Sequence, residues 1–172
     1  RPYFNKGMDL LNFLDNAFYS RTINSPSISS KITSAGKQSR SILLTAIDQN
    51  SPYLIGGEDK SYFGEGGTSY ANAYRYQRVI NNGLKYGLFT TNRYYEGGGY
   101  GNLFGIDGLF TINKIWRIQF ELIKNFNEEP IADWIDTNDM FSNKSVRLNG
   151  EKFNGSANYF RASRQLEFIF IL

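Results

Sequence analysis

The chain has 172 residues, enough for one domain with a sizeable core, and its aromatic content of 16% excludes a disordered chain. It contains no cysteine and no histidine, which excludes disulfides, thiolate chemistry and any catalysis or zinc binding that depends on histidine. A net charge of +3 is too small to favour nucleic acid as a partner.

The beginning of the chain differs from the rest, because its apolar residues lack the period of two that strands show. Met8, Leu11 and Leu14 recur at helical spacing instead. We therefore predict that residues 1–16 form a lead-in segment that is not a strand and packs in or under a barrel formed by the rest of the chain. Since the chain opens with Arg1 and has no charged-then-apolar leader, we expect a mature protein or an excised piece.

From residue 17 onward, nearly every segment alternates or runs apolar between Gly, Asn and Ser residues. This pattern predicts strands, and the lack of helical patterns between them favours an antiparallel meander. Turns are predicted at Asn81-Asn82-Gly83 and, from weaker patterns, at Asn113-Lys114 and Ser163-Arg164. The nine predicted strands are Ala17–Asn24, Ile28–Ala35, Ser39–Asp48, Ser69–Ile80, Leu84–Tyr94, Tyr100–Asn113, Ile115–Phe126, Glu151–Ala162 and Gln165–Leu172.

The alternation within single strands divides apolar from polar side chains, because successive side chains of a strand point to opposite faces. Ile115–Phe126 and Gln165–Leu172 show it most clearly. We predict that the polar face lines the lumen of a barrel and that the apolar face meets lipid. The candidate lumen-facing residues are Arg75, Gln77, Asp107, Arg117, Gln119 and Glu121, and the candidate lipid-facing residues are Trp116, Ile118, Phe120, Leu122, Phe168 and Phe170.

The fold class that these patterns predict is all-β, an antiparallel meander that is part of a transmembrane β-barrel of the outer-membrane type. No apolar run approaches the ~18–20 residues of a membrane helix, whereas the predicted strands match the ~9–11 residues that a barrel strand needs. Short turns on one rim and the long polar connections 49–68 and 127–150 on the other are typical of such barrels. Because bacterial barrels close with an even number of strands, we expect residues 17–172 to form an incomplete barrel.

The opening of the chain contains several short motifs in a characteristic order. They are Arg1-Pro2-Tyr3-Phe4, Gly7-Met8-Asp9-Leu10, Asn12-Phe13, Phe18-Tyr19-Ser20-Arg21 and Ile23, continued by Lys31-Ile32-Thr33, Gly36-Lys37, Leu43-Leu44, Ala46, Tyr86-Gly87, Thr91-Asn92-Arg93, Asn113-Lys114 and Trp116. In these residues the chain resembles the start of an uncharacterised β-barrel domain family of gram-negative outer membranes, whose members often follow a family-nine carbohydrate-binding-like domain.

The resemblance implies that this chain is the N-terminal part of that barrel domain. It implies a location in the outer membrane of a gram-negative bacterium and a non-enzymatic function in solute passage or surface glycan handling. The implied partners are the lipid bilayer, the remaining strands of the same barrel, and glycans or small solutes, with no nucleic acid. We expect no cofactor.

We predict no catalytic, cofactor-binding or metal-binding residue in this sequence. Asp133, Asp136 and Asp139 recur every third residue but lack the glycine turn of a calcium loop, so a polar surface loop is the better interpretation. A glycan hydrolase needs two carboxylates facing each other across a cleft, and only Asp107 and Glu121 are acids on predicted strands that offer a pair.

A soluble β-barrel or sandwich that binds a ligand is the alternative that the sequence leaves open. In that fold the same alternation would turn the aromatic side chains Trp116, Phe120, Phe168 and Phe170 towards a buried core. The two hypotheses differ in what the apolar face meets.

Overall fold

A computed structural model describes residue 23 and residues 25–56, 61–81, 83–112, 115–133 and 147–164. These residues form eleven strands. The strands are β1 (Pro26–Ala35), β2 (Ser39–Asp48), β3 (Pro52–Gly56), β4 (Ser61–Glu65), β5 (Ser69–Asn81), β6 (Leu84–Tyr95), β7 (Tyr100–Ile112), β8 (Trp116–Glu128), β9 (Ile131–Asp133), β10 (Arg147–Asn149) and β11 (Lys152–Arg164).

The main sheet contains seven strands in the order β1-β2-β5-β6-β7-β8-β11, and every neighbouring pair is antiparallel. The prediction of an all-β antiparallel meander is therefore confirmed, and seven of the nine predicted strands match strands of this sheet. The sheet is open within the described residues. The lead-in segment 1–16 and the predicted strand 165–172 lie outside those residues, as does Ala17–Asn24 except for Ile23, which lies in no strand.

The two ends of the sheet carry connections of different length. At one end, here the short-turn end, two or three residues separate β1 from β2, β5 from β6, and β7 from β8. At the opposite end, the long-loop end, residues 49–68 follow β2, residues 96–99 follow β6, and residues 129–151 follow β8. The two predicted long connections are thus at the same end of the sheet, where residues 96–99 form a third connection of only four residues.

Two details of the sequence prediction are wrong. The long connections are not entirely irregular, because residues 49–68 contain the hairpin β3–β4 and residues 129–151 contain the hairpin β9–β10. The predicted turn at Ser163-Arg164 is absent, since β11 continues through both residues in register with Arg117 and Trp116 of β8. A neighbouring strand that still offers partners prolongs β11 beyond the point where local turn chemistry would end it.

The main sheet has a charged face and an apolar face. The charged face bears the buried side chains of Ile42, Leu44, Ala46, Ala71, Ala73, Phe89, Arg75 and Glu121. The apolar face bears exposed apolar side chains on successive strands: Leu43, Tyr70, Leu88, Phe104, Ile106, Trp116, Leu122 and Phe160. The core therefore lies on the charged face, where Ile23 packs with Leu44, Ala46, Ala71 and Ala73.

A ring on β6 covers a glycine of β7. Phe89 lies directly opposite Gly105 in the antiparallel ladder, and its buried ring fills the space that a side chain at Gly105 would occupy. Glycine is therefore required at this position for a close approach and not for an unusual backbone angle.

Gly105→Ala is expected to destabilise the fold by about 1–3 kcal/mol, because the added methyl group overlaps the Phe89 ring and the buried ring has little room to move. Denaturant unfolding measures this cost. Gly101→Ala, on the same strand and face, is the matched control, since its Cβ would come no closer than 3.3 Å to Asn127 Oδ1. Equal costs for the two variants would show that Phe89 does not fill the space over Gly105.

Among the described residues, no helix combines the length and the apolar character that crossing a membrane requires.

Candidate functional site

A shallow pocket on the charged face gathers the six candidate polar residues of the sequence analysis. It has a cavity volume of about 220 Å³ and lies towards the short-turn end of β5–β8. Its lining comprises Arg75, Gln77, Asp107, Arg117, Gln119 and Glu121, together with Lys85, Leu109 and parts of Gly108 and Phe120. These polar residues share one face because side chains two residues apart on a strand, here on β5 and β8, point to the same side of the sheet.

The strongest interaction in the pocket is a two-pronged ion pair between β5 and β7. Arg75 Nη2 donates to Asp107 Oδ2 at 2.8 Å, and Arg75 Nη1 makes a second, shorter hydrogen bond to Asp107 Oδ1. The side chains are only 3% and 22% exposed, respectively. A paired guanidinium and carboxylate in so buried a place interact more strongly than the same pair in water.

Gly87 of the intervening strand β6 makes this ion pair possible. Gln77, Gly87 and Asp107 are aligned across β5, β6 and β7, and Arg75 reaches over Gly87 to its partner. A Cβ at Gly87 would lie 2.6 Å from Arg75 Nη1 and 2.8 Å from Arg75 Cζ. The sequence places Arg75 and Asp107 on the same face, but the bond between them depends on a glycine in a third strand.

Two carboxylates of the pocket are direct cross-strand neighbours. Asp107 pairs in register with Glu121, which is 2% exposed. Like charges opposite each other destabilise a sheet, so the Arg75 guanidinium on Asp107 offsets a cost that the register creates. The two acids lie side by side on one sheet face, whereas a glycan hydrolase needs them on either side of the scissile bond.

A second polar cluster, which the sequence analysis missed, lies at the long-loop end of the charged face. Asp48 is fully buried: its Oδ1 accepts a hydrogen bond of 2.7 Å from the Ser25 backbone N–H, and its Oδ2 lies 3.6 Å from Arg93 Nη1. Arg93 also donates to Ser69 Oγ at 3.2 Å, and Ser51 contacts both Asp48 and Ser69. Asp48 continues the period of Ile42, Leu44 and Ala46, which is the signal that could have placed it on this face.

Acidic side chains follow the end of β8. The Glu129 backbone N–H donates to the Glu151 carbonyl oxygen at 3.0 Å, which joins the two ends of the connection between β8 and β11. Burial raises the pKa of the Glu129 carboxyl above its ordinary value, and the negative charge of Glu151 raises the pKa further. The connection therefore brings two carboxyl groups together.

The candidate lipid-facing residues of β8 all lie on the apolar face. Trp116, Ile118, Phe120 and Leu122 alternate with Arg117, Gln119 and Glu121 on the charged face. The Phe120 ring stacks on Phe110 with centroids 5.9 Å apart and covers Gly108. Phe168 and Phe170 lie outside the described residues.

The apolar face also has two polar rows towards the long-loop end. Tyr70, Tyr94 and Tyr100 are cross-strand neighbours on β5, β6 and β7. In the next row of this face, two residues along each strand from the tyrosines, Asn92 Nδ2 donates to Asn102 Oδ1 at 2.8 Å. The remaining length of this face is mainly apolar, but Arg78 of β5 and the exposed Lys124 of β8 also lie on it.

No group of three or more acidic, histidine or cysteine side chains suited to a metal ion occurs within the part of the chain that the structure describes. The acidic run from Asp133 to Asp139 lies outside the side chains described.

Together the fold and the pocket define a class: an all-β protein built on a seven-stranded antiparallel meander with one charged and one apolar face. Comparison with known proteins adds no family, because no protein-family model, no curated protein and no solved structure matches this chain at a significant level.

Proposed function

We propose that the sheet is part of a transmembrane β-barrel in the outer membrane of a gram-negative bacterium, with the apolar face towards lipid. The observation that carries this proposal is the exposure of that face: Phe104, Ile106 and Leu122, on adjoining strands, are 43–50% exposed. Soluble proteins rarely expose contiguous apolar patches over several strands, and such patches mark contact with a membrane or another protein.

Strand length supports the same proposal. β5, β7, β8 and β11 have 13 residues each, which exceeds the ~9–11 residues that a tilted barrel strand needs to cross the bilayer. The extra length accommodates the polar Asn and Tyr rows at the long-loop end, outside the hydrocarbon layer. Soluble sheets more often use strands of about 5–6 residues.

The connections and the aromatic residues are arranged as in a barrel of this class. Short turns at one end and long connections at the other are the usual pattern, with the long connections outside the cell. Trp116 lies at the short-turn end of the apolar face and Tyr94 at its long-loop end, where aromatic side chains favour the interface between lipid and water. Further strands of the same barrel would pair with β1 and β11, because backbone groups in lipid must be hydrogen-bonded.

The passage or binding of small polar solutes, glycans included, is the function that this arrangement favours. The charged face would line the lumen, and its pocket offers charged and amide side chains that hydrogen-bond to polar solutes. We propose no enzymatic step, because Asp107 and Glu121 lie side by side and Asp107 is bonded to Arg75 through both oxygens.

The soluble ligand-binding fold remains the competing hypothesis, and site-specific labels distinguish the two. The chain contains no cysteine, so a fluorophore can be attached to single cysteines introduced on β7, Ile106→Cys on the apolar face and Leu109→Cys on the charged face. In the full-length protein folded into lipid vesicles, we expect lipid-borne quenchers to reduce the fluorescence at position 106 and iodide in water to reduce it at position 109.

The matched pair shares one strand and differs in facing, which makes the comparison sharp. Quenching of both labels by iodide and of neither by lipid would contradict the membrane proposal and favour the soluble fold. Reversed quenching, with position 109 in lipid, would show that the charged face is not the lumen.

A further inference from the structure

The charged face becomes cationic towards the short-turn end. Asp107 and Glu121 form one cross-strand pair, and the next rows towards the short turns contain Lys85, Arg117 and Arg161. Within the described residues, no carboxylate occupies the charged face in those rows. A cluster of positive charges therefore lies between the Asp107–Glu121 pair and the short turns.

Burial separates the charges that a solute would meet from those that it would not. Arg75 and Glu121 are each 2% exposed, and both oxygens of Asp107 are bonded to Arg75. Lys85 and Arg117, by contrast, are exposed and line the same pocket. The accessible charge of the pocket is therefore positive, although two of its five charged side chains are acidic.

The register sets the separation of the two exposed cations. Lys85 pairs with Leu109, which pairs with Gln119, and Arg117 is two residues further along β8. Their Cα atoms are thus about 10 Å apart across the sheet and about 7 Å apart along it. Two long side chains at this separation can both contact one anion of several atoms within a cavity of about 220 Å³.

We propose that this part of the charged face selects anionic solutes, those that bear a carboxylate or a phosphate group, with Lys85 and Arg117 as the residues that determine the specificity. The inference rests on the proposed function, since it treats the charged face as a lumen. A guanidinium and an ammonium group both bind carboxylate and phosphate oxygens through charge-assisted hydrogen bonds. Charged side chains that ring a pore also set its ion selectivity, because low-dielectric walls concentrate their field.

The test is the reversal potential of the full-length protein in a planar lipid bilayer under a gradient of potassium chloride. We expect chloride to be more permeant than potassium in the parent protein. The double variant Lys85→Glu/Arg117→Glu is expected to lower the chloride-to-potassium permeability ratio by about threefold or more, since it makes the accessible charge negative. The neutral double variant Lys85→Gln/Arg117→Gln is expected to give an intermediate ratio, and it serves if the acidic variant does not fold.

Lys152→Glu is the matched control. Lys152 is 68% exposed and lies on the apolar face at the long-loop end, and its substitution by glutamate changes the net charge by the same amount as each substitution in the pocket. It should leave the ratio unchanged. A parent that prefers potassium, or a ratio that the pocket variants do not lower, would overturn the inference and leave the membrane channel standing. A protein that inserts and conducts no ions would overturn the proposed solute passage and this inference together.

Discussion

Leu122→Arg is expected to reduce the free energy of unfolding from a lipid bilayer by about 2–4 kcal/mol, because the proposed orientation in the membrane puts this position on the lipid face near the bilayer midplane. Leu122 is the central residue of the 13-residue strand β8 and is 43% exposed on the apolar face. In a soluble fold, an exposed position of this kind would tolerate arginine with a change of about 0.5 kcal/mol. The measurement is reversible denaturant unfolding of the full-length protein in lipid vesicles.

Gln119→Arg on the same strand is the control, because Gln119 lines the pocket on the charged face. Both positions lie on one strand, so strand propensity is shared, and the two costs differ mainly in facing; the cationic neighbours of Gln119, Arg161 among them, can only raise the cost of the control. Leu122 is a better probe than Phe120, because Phe120 also stacks on Phe110 and covers Gly108, and its loss would cost packing energy in either environment. Equal penalties for Leu122→Arg and Gln119→Arg would mean that the apolar face does not meet lipid.

Most of the main sheet was predictable from the sequence, because the patterns that mark its strands and turns lie within short stretches of the chain. Each strand carries its own alternation, as in Ile115–Phe126, and turn residues such as Asn81 and Gly83 mark where the chain reverses. A meander then needs no further information, since each strand pairs with the next strand of the sheet along the chain.

The interactions that give the pocket its character were not predictable, because they depend on register. Arg75 and Asp107 are 32 residues apart, and their bond passes over Gly87, whose missing side chain has no local signal. The same reason applies to the cluster around Asp48 and Arg93, which two different strands bring together. Register also explains the error at Ser163-Arg164, where pairing with β8 outweighs local turn chemistry.

The hairpins inside the long connections were missed for a different reason. β3 and β4 have five residues each, and β9 and β10 have three, so their patterns are too short to distinguish a strand from a polar loop. Only the pairing of the two segments with each other identifies them as strands. Alternation with a period of two separates the side chains into two faces. It does not show which face contacts lipid, water or a protein core.

Asp107→Asn is expected to lower the stability of the protein by about 3 kcal/mol, because it removes one partner of a buried ion pair and leaves the other charge behind. The Arg75 side chain is 3% exposed and packs against the backbone of Gly87, so it has little room to turn its guanidinium to water. The estimate is at the lower end for buried pairs because Asp107 itself is 22% exposed. Denaturant unfolding of the full-length protein measures the loss.

The double variant Arg75→Met/Asp107→Asn tests the cause. Replacing the Arg75 guanidinium as well should recover most of the stability, since a neutral side chain of similar length has no charge to desolvate. Glu128→Gln is the matched acid-to-amide control: Glu128 and Lys152 are 3.4 Å apart with exposures of 30% and 68%, and its loss should cost less than about 1 kcal/mol. A cost for Asp107→Asn as small as that for Glu128→Gln, or no recovery in the double variant, would contradict a stabilising role for the Asp107 charge beside Arg75.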